Sequence, residues 1–79
     1  MQNGQVVVNA RWDKEASVWV ATSSDVPGLV TEAESVEALI KKLCALIPEL
    51  LDANGYADAD DVSFALFTQR FEVAGRCLA

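Results

Sequence analysis

The chain contains no histidine, and that absence removes several classes of chemistry at once. Histidine is the usual general base near neutral pH, a member of most nucleophilic triads and a frequent zinc ligand. None of the serines lies in a Gly-x-Ser-x-Gly sequence, and the four glycines are too scattered to form a phosphate-binding loop. We therefore expect a protein that is not an enzyme and that needs no cofactor or metal.

Cysteines and basic residues are also scarce. Cys44 and Cys77 are the only cysteines and form no Cys-x-x-Cys pair, so we expect two reduced thiols, with Cys44 at the margin of a helix. The 6 basic residues face 12 acidic ones, which gives a net charge of −6. A nucleic-acid surface needs clustered lysine and arginine, so we expect no nucleic acid as partner. A basic protein partner is compatible with this charge.

A long apolar segment is missing as well. A membrane span needs roughly 20 apolar residues, and Lys41, Lys42 and Glu49 interrupt the only long run. The first residues, MQNGQVVV, lack the basic segment and cleavage site of a secretory signal, so we expect a cytoplasmic protein. The 79 residues predict one domain, 1–79, with a loosely held tail over 74–79. A core this small would gain stability from self-association or a partner.

The stretch from Ser35 to Gly55 carries the clearest pattern in the chain. Its apolar residues follow i, i+3, i+4, i+7 spacing and predict one stripe of an amphipathic helix; they are Val36, Leu39, Ile40, Leu43, Leu46, Ile47, Leu50 and Leu51. Ser35 is a good N-cap, and Asn54-Gly55 tolerates the left-handed conformation that ends a helix. Pro48 lacks an amide proton, so we expect a bend there, with a split into two helices as the alternative.

Four further segments read as strands because they are rich in β-branched and aromatic residues. They are Gln5 to Trp12, Ser17 to Ser23, Leu29 to Ala33 and Val62 to Val73. The first two are joined by a short polar turn and should form an antiparallel hairpin. If Trp12 lies opposite Ala16 or Val18, then Trp12, Val18 and Val20 face the helix, whereas Val7 and Trp19 lie on the other side.

The order β-β-β-α-β predicts an α+β fold in which one long helix packs on one face of an antiparallel sheet. One helix can cover only one side, yet the last strand is apolar on both. Exposed aromatic residues grouped in this way usually mark an interface, so we expect a homo-oligomer or a protein partner. The candidate interface residues are Val7, Trp19, Phe67 and Phe71.

Two further clusters have both a functional and a structural interpretation. Carboxylates and one amide near the helix end could offer oxygens to calcium, but they fit no EF-hand spacing and read better as a solvated acidic loop; they are Asp52, Asn54, Asp58, Asp60 and Asp61. The aromatic residues could stack on single-stranded bases, but too few cations accompany them, and a core or protein interface is favoured; they are Trp12, Trp19, Phe64, Phe67 and Phe71.

The run VWVATSSDVPGLVTEAESVEAL resembles the HicB-type antitoxin domain over roughly residues 6–73. That family has an aromatic-bearing strand, an acidic-aliphatic-Pro-Gly turn, a short strand with a threonine, and a capped helix with an early Ala-Leu pair. The matching motif residues are Trp19, Asp25, Val26, Pro27, Gly28, Thr31, Ser35, Ala38 and Leu39. The chain looks most similar to short, uncharacterised HicB-like proteins, whose helix carries a segment like that from Leu43 to Leu50.

The resemblance implies a β-β-β-α-β domain related to part of a double-stranded-RNA-binding domain. It also implies an inhibitor that docks on a small basic ribonuclease toxin, HicA, and masks its catalytic histidine. Full-length members bind operator DNA through a separate C-terminal module, which is lacking from this chain, so we expect no operator binding. We therefore predict a non-catalytic HicB-like protein-binding module. The alternative is a self-assembling structural or small-ligand-binding domain.

Overall fold

The computed structural model describes residues 6–55 and 62–75 and confirms the α+β architecture. The elements are β1 (Val6–Asp13), β2 (Val18–Thr22), β3 (Val30–Ala33), α1 (Val36–Ala53) and β4 (Phe64–Gln69). One helix therefore packs on one four-stranded sheet, as the sequence predicts. The expected acidic loop at residues 56–61, Cys77 and most of the expected tail lie outside the described residues.

Helix α1 is one continuous element that begins and ends where its capping residues predict. The Ser35 hydroxyl accepts a hydrogen bond from the Ala38 amide at 3.1 Å, and Gly55 takes a left-handed φ of 91° just past the C-cap. Pro48 lies inside the helix, so the alternative of two separate helices is wrong. Cys44 is exposed rather than packed at the margin of the stripe. It follows the buried Leu43 by one residue, and one residue turns the helix surface by about 100° away from the core.

The sheet is mixed and not antiparallel throughout, which corrects the sequence-based prediction. Its strand order is β3-β2-β1-β4; β1 and β3 flank β2 as antiparallel neighbours, but β4 runs parallel to β1. The cause is the helix. Because α1 runs back along the sheet after β3, it returns the chain to the end from which β3 started. The next strand must then run in the direction of β3, which is also the direction of β1.

The predicted hairpin register is wrong by one residue. Trp12 lies opposite Trp19, and Asp13 lies opposite Val18. A four-residue loop joins the strands, with Ser17 at a φ of 57° and the Asp13 carboxylate accepting from the Glu15 and Ala16 amides. A one-residue shift moves every side chain of a strand to the opposite face. Trp19 therefore points to the helix side of the sheet, and Val18 and Val20 to the other.

The core lies between α1 and the helix side of the sheet. The helix contributes Leu39, Leu43, Ile47 and Leu51, each almost fully buried. The sheet and the turn before β3 supply smaller side chains that leave room for these leucines; they are Val8, Ala10, Ala21, Val26, Leu29 and Ala33. The helix lies mainly over β2 and β3. No buried side-chain polar atom within the described residues lacks a hydrogen-bond partner.

Strand β4 is half as long as its sequence suggests. The apolar run from Val62 to Val73 predicts twelve residues of strand, but the ladder with β1 ends at the pair Arg11 and Gln69. Beyond that point the chain turns to other contacts, since Arg70 lies over the Trp12 ring and hydrogen-bonds to Glu72. An apolar, β-branched pattern predicts that a segment forms a strand, but it does not predict at which residue the pairing with the neighbouring strand ends.

Replacing Leu43 by alanine should destabilise the protein strongly, because Leu43 is fully buried at the centre of the core. The lost contacts and the resulting cavity should lower the free energy of unfolding by about 2–5 kcal/mol. Cys44→Ala, one residue along on the exposed side, should change it by less than about 0.5 kcal/mol. Urea denaturation of the two variants measures both values. Similar midpoints for the two would contradict this placement of the helix.

Candidate protein-binding surface

Within residues 6–55 and 62–75, no helix lies on one side of the sheet, and we call that side the uncovered face. Alternation along each strand, together with the register, defines its members. They are Val7, Asn9, Arg11, Val18, Val20, Thr22, Val30, Glu32, Ala65, Phe67 and Gln69. Of the four predicted interface residues, Val7 and Phe67 therefore lie on this face. Phe71 lies beyond the end of β4 and is 72% exposed.

Phe67 is the largest exposed apolar residue of the uncovered face; it is 58% exposed on the edge strand β4. Beside it lies an open depression of about 400 Å³ that crosses β1, β2 and β4. Its main lining residues are Asn9, Arg11, Val20, Thr22, Phe67 and Gln69. An apolar wall with amide, hydroxyl and guanidinium groups around it can contact a protein surface, and none of these side chains is a usual nucleophile or general base.

Charges are few on this face. Arg11 is exposed near its centre, and no described carboxylate lies within 4 Å of its guanidinium. Glu32 is exposed at the β3 side, and Asp13 lies at the end of β1. The centre thus combines valine side chains with the polar Asn9 and Arg11, and the acidic groups lie at the rim. No cluster of acidic and cysteine side chains among residues 6–55 and 62–75 could hold a metal ion.

Trp19 does not belong to the uncovered face, which corrects the fourth predicted interface residue. It packs edge-on against Trp12 on the helix side, with ring centroids 5.3 Å apart and planes at 63°. Trp19 is partly buried against the core. The guanidinium of Arg70 lies 4.5 Å from the centre of the Trp12 ring, in a cation–π contact. These tryptophans close one end of the core, so they cannot form a stacking platform with Phe67.

Glu72 completes this end of the sheet. Its carboxylate accepts a hydrogen bond from Arg70 Nε at 2.6 Å and lies 3.9 Å from Lys14 Nζ. The Arg70 hydrogen bond first, and then the charge of Lys14, hold the pKa of Glu72 below its usual value. Sequence patterns do not reveal this cluster, because Lys14 and Glu72 are far apart in the chain.

The acidic residue of the Asp-Val-Pro-Gly turn has a structural role. Asp25 Oδ2 accepts the Val7 amide proton at 2.8 Å, and the Ser23 hydroxyl donates to the Val7 carbonyl at 2.6 Å. Ser23 Oγ in turn accepts the Asp25 amide at 3.0 Å. Together these bonds satisfy the backbone of β1 at the point where β2 has ended. The turn is thereby fastened to the first strand.

The remaining motif residues fasten the same turn to the helix. Val26 is fully buried, and Gly28 takes a φ of 86°, which side chains other than glycine rarely adopt. The Asn54 amide donates to the Leu50 carbonyl at 2.7 Å and reaches the Pro27 carbonyl at 3.5 Å. Thr31 is partly buried on the helix side of β3. With the Ser35 cap, the motif positions Asp25, Pro27, Gly28, Thr31 and Ser35 are thus placed as parts of the fold.

The fold agrees with comparisons to known proteins. A family model described as a domain of unknown function, DUF1902, matches residues 5–74. The chain belongs to the DUF1902 family. Because the match spans nearly all of the sequence, the sheet, the helix and the motif turn together make up the family domain. The HicB resemblance is a finer assignment than this match and stays a prediction.

A crystal structure supports the fold of this DUF1902 domain. A hypothetical protein from the extremely thermophilic bacterium Thermus thermophilus is 42% identical and superposes with a TM-score of 0.69. The similarity covers 92% of this chain and 100% of that one. No curated protein matches the sequence. Among the described residues, no helix combines the length and the apolar character that crossing a membrane requires.

Replacing Asp25 by alanine should destabilise the DUF1902 fold, because the Val7 amide loses its acceptor at the start of β1. We expect the free energy of unfolding to fall by about 1–2 kcal/mol, as for other hydrogen bonds to a charged acceptor. Asp52→Ala removes a carboxylate from the exposed side of the helix and should cost nothing, because a negative charge near a helix C-terminus is unfavourable. Thermal unfolding of both variants provides the comparison, and equal melting temperatures would contradict the role given to Asp25.

Titration of Glu72 should give a pKa below the 4.5 usual for glutamate. Because the folded-state pKa is lowered, the cluster stabilises the fold above the unfolded pKa, and this contribution is lost as the pH falls through the folded pKa. Carboxyl NMR shifts recorded against pH measure the value. Arg70→Gln should move it back towards 4.5, whereas Lys41→Gln, on the polar side of the helix, should leave it unchanged. A Glu72 pKa that does not respond to Arg70→Gln would refute the assigned cause.

Proposed function

We propose that this DUF1902 chain is a non-catalytic protein-binding module that uses the uncovered face to bind a partner. The observation that carries the proposal is Phe67, a large aromatic side chain left 58% exposed on a face with no helix. Exposed aromatic residues beside half-buried aliphatic ones are typical of interfaces. Here Val7, Val18 and Val20 are the half-buried neighbours.

The chemistry of the side chains supports binding rather than catalysis. The whole chain has no histidine, and Cys44 lies on the exposed side of the helix, away from the uncovered face. The depression beside Phe67 is lined by amide, hydroxyl, guanidinium and apolar groups. Such groups orient a partner by hydrogen bonds, and aromatic and arginine side chains often contribute most of the binding energy at protein interfaces.

The partner we propose is a small basic protein, and in its specific form a HicA-type ribonuclease toxin that this chain neutralises as an antitoxin. The net charge of −6 supports attraction to a cationic surface. Asp13 and Glu32 place carboxylates at the rim of the uncovered face, where they can meet basic side chains of a partner. The HicB resemblance of the motif turn and helix cap supports the toxin as the particular partner.

The alternative function, a self-assembling structural or small-ligand-binding domain, is supported by a different feature. The outer edge of β4 has no described neighbour in the sheet. This feature is compatible with the antitoxin proposal, because the edge and the uncovered face are different surfaces of the same strand.

Toxicity rescue tests the antitoxin proposal directly. A HicA-type toxin from the same genome is induced in a bacterial host, with or without this chain, and growth and co-purification are measured. We expect the chain to restore growth and to form a stoichiometric complex that weakens as salt is added, because charge attraction is screened. Absence of both rescue and complex with the HicA-type toxins of that genome would rule out the antitoxin role.

A pair of charge-matched variants tests the proposed face. Phe67→Glu replaces the exposed aromatic side chain of the uncovered face by a carboxylate and should weaken toxin binding at least about tenfold, as for an aromatic residue that contributes much of the binding energy. Ile40→Glu also replaces an exposed apolar side chain by glutamate, but on the helix, and should bind like the wild type. Titration calorimetry measures both affinities. Equal affinities for the two variants would place the binding surface elsewhere.

A further inference from the structure

The two edges of the sheet differ in how they are protected. Strand β3 forms one edge, is four residues long and carries the exposed Glu32. The ammonium group of Lys42, reaching from the helix, donates to the Glu32 carbonyl at 2.6 Å. A short strand, a charge and a lysine are the usual means by which proteins prevent an edge from pairing with another strand. The β3 edge is therefore blocked.

Strand β4 forms the other edge and has none of these protections. Residues 63–69 contain no charged side chain and no proline. The Ser63 carbonyl accepts from the Val6 amide at 3.3 Å, so it faces β1. Successive residues of a strand face opposite neighbours, and the backbone groups of Phe64, Leu66 and Thr68 therefore point away from β1. No described strand pairs with these groups.

We propose that two copies of this chain pair through their β4 edges, antiparallel, about a two-fold axis at Phe67, to form one eight-stranded sheet. A two-fold axis that makes like strands antiparallel is normal to the sheet, so both helices stay on the same side. The outward N–H and C=O groups of each β4 strand then form hydrogen bonds with those of the other. The uncovered faces of the two copies join into one continuous surface.

The position of the axis follows from the side chains of β4. With the axis at Phe67, each Phe67 lies opposite its own copy in a non-hydrogen-bonded pair, where side chains of antiparallel strands come closest. Aromatic pairs at such positions stabilise a sheet. Leu66 then lies opposite Thr68, and Ala65 lies opposite Gln69. The two Phe67 side chains, the most exposed aromatic ones of the sheet, then contact each other along one side, while their outer surfaces stay on the uncovered face.

Charge favours a second copy over a basic partner at this edge. Two chains that each carry −6 repel one another, unless they meet where carboxylates are absent. Residues 63–69 provide such a segment. Glu72 lies beyond the strand and is already paired with Arg70 and Lys14, and in the dimer it lies opposite Val62 rather than another acid. A basic protein would be drawn to carboxylates, which the β4 edge does not offer.

The proposal is tested by measuring the mass of the isolated chain in solution. A proline substitution on the outer edge of β4 serves as the variant that should prevent dimerisation. Thr68 is exposed and its N–H points outward, so Thr68→Pro removes no bond to β1 but blocks the edge. Sedimentation and light scattering over about three decades of concentration should give a dimer for the wild type. Thr68→Val should dimerise like the wild type, and Thr68→Pro should remain a monomer with an unchanged far-UV spectrum. A monomeric wild type, or a folded and dimeric Thr68→Pro, would overturn the proposal.

Cross-linking tests the register even if the proline variant fails to fold. Non-hydrogen-bonded partners have Cα atoms about 4.5 Å apart, which lies within the range that a disulfide spans. In a Cys44→Ser, Cys77→Ser background, Phe67→Cys should form a covalent dimer under oxidised glutathione. Val30→Cys, equally exposed at the opposite edge, should not. Equal cross-linking at both positions, or none at Phe67→Cys, would reject the axis. No toxin is present, so these results do not depend on the antitoxin proposal.

Discussion

The structure depends on one contact, the packing of the helix stripe against small side chains of the sheet. Leu39, Leu43 and Ile47 are fully buried because Ala10, Ala21 and Ala33 leave room beneath them. Such burial is the main favourable term in folding, and in a chain of 79 residues it comes almost entirely from this one layer. The same contact determines which side of the sheet stays uncovered. A single helix covers one side of a sheet, so the opposite side has no covering layer among the described residues.

The motif turn explains how so small a protein holds its layers in place. Asp25 and Ser23 bind the backbone of Val7, while Asn54 reaches from the helix end towards Pro27. The beginning of the first strand, the turn and the end of the helix are thus joined through a few polar contacts around the buried Val26. This accounts for the acidic residue, proline and glycine in physical terms and requires no ligand at the turn.

The sequence predicts best what depends on local periodicity. The extent and the caps of α1 follow from the 3.6-residue spacing, Ser35 and Gly55, and the structure confirms them. The sequence predicts poorly the features that depend on residues far apart in the chain. The hairpin register depends on the left-handed conformation of Ser17, which no residue pattern predicts. The one-residue error in the predicted register placed Trp19 on the uncovered face instead of the helix side. The direction of β4 follows from the path of the helix, and β4 ends at Gln69, before β1 does, where Arg70 and Glu72 begin to make side-chain contacts. Arg70 over Trp12 joins segments that only the folded sheet brings together.

The candidate surface was therefore predicted in part. Phe67 and Val7 lie on the uncovered face because alternation within a strand is a local property, whereas Trp19 depended on the register. The face and the β4 edge are also incomplete in different ways. The face lacks apolar contact, which any surface of suitable shape can supply, and the edge lacks directed hydrogen bonds, which only another strand can supply.

A dimer formed at the edge would not consume the uncovered face. Because its two-fold axis is normal to the sheet, it would place two such faces side by side, with Phe67 at their junction. A partner that bound the joined surface would contact both copies, and its affinity would then depend on dimerisation as well as on the side chains of one face. The two proposals thus assign two different interactions to β4. Its outward backbone groups bind a second copy of the chain, and its side chains on the uncovered face bind the partner protein.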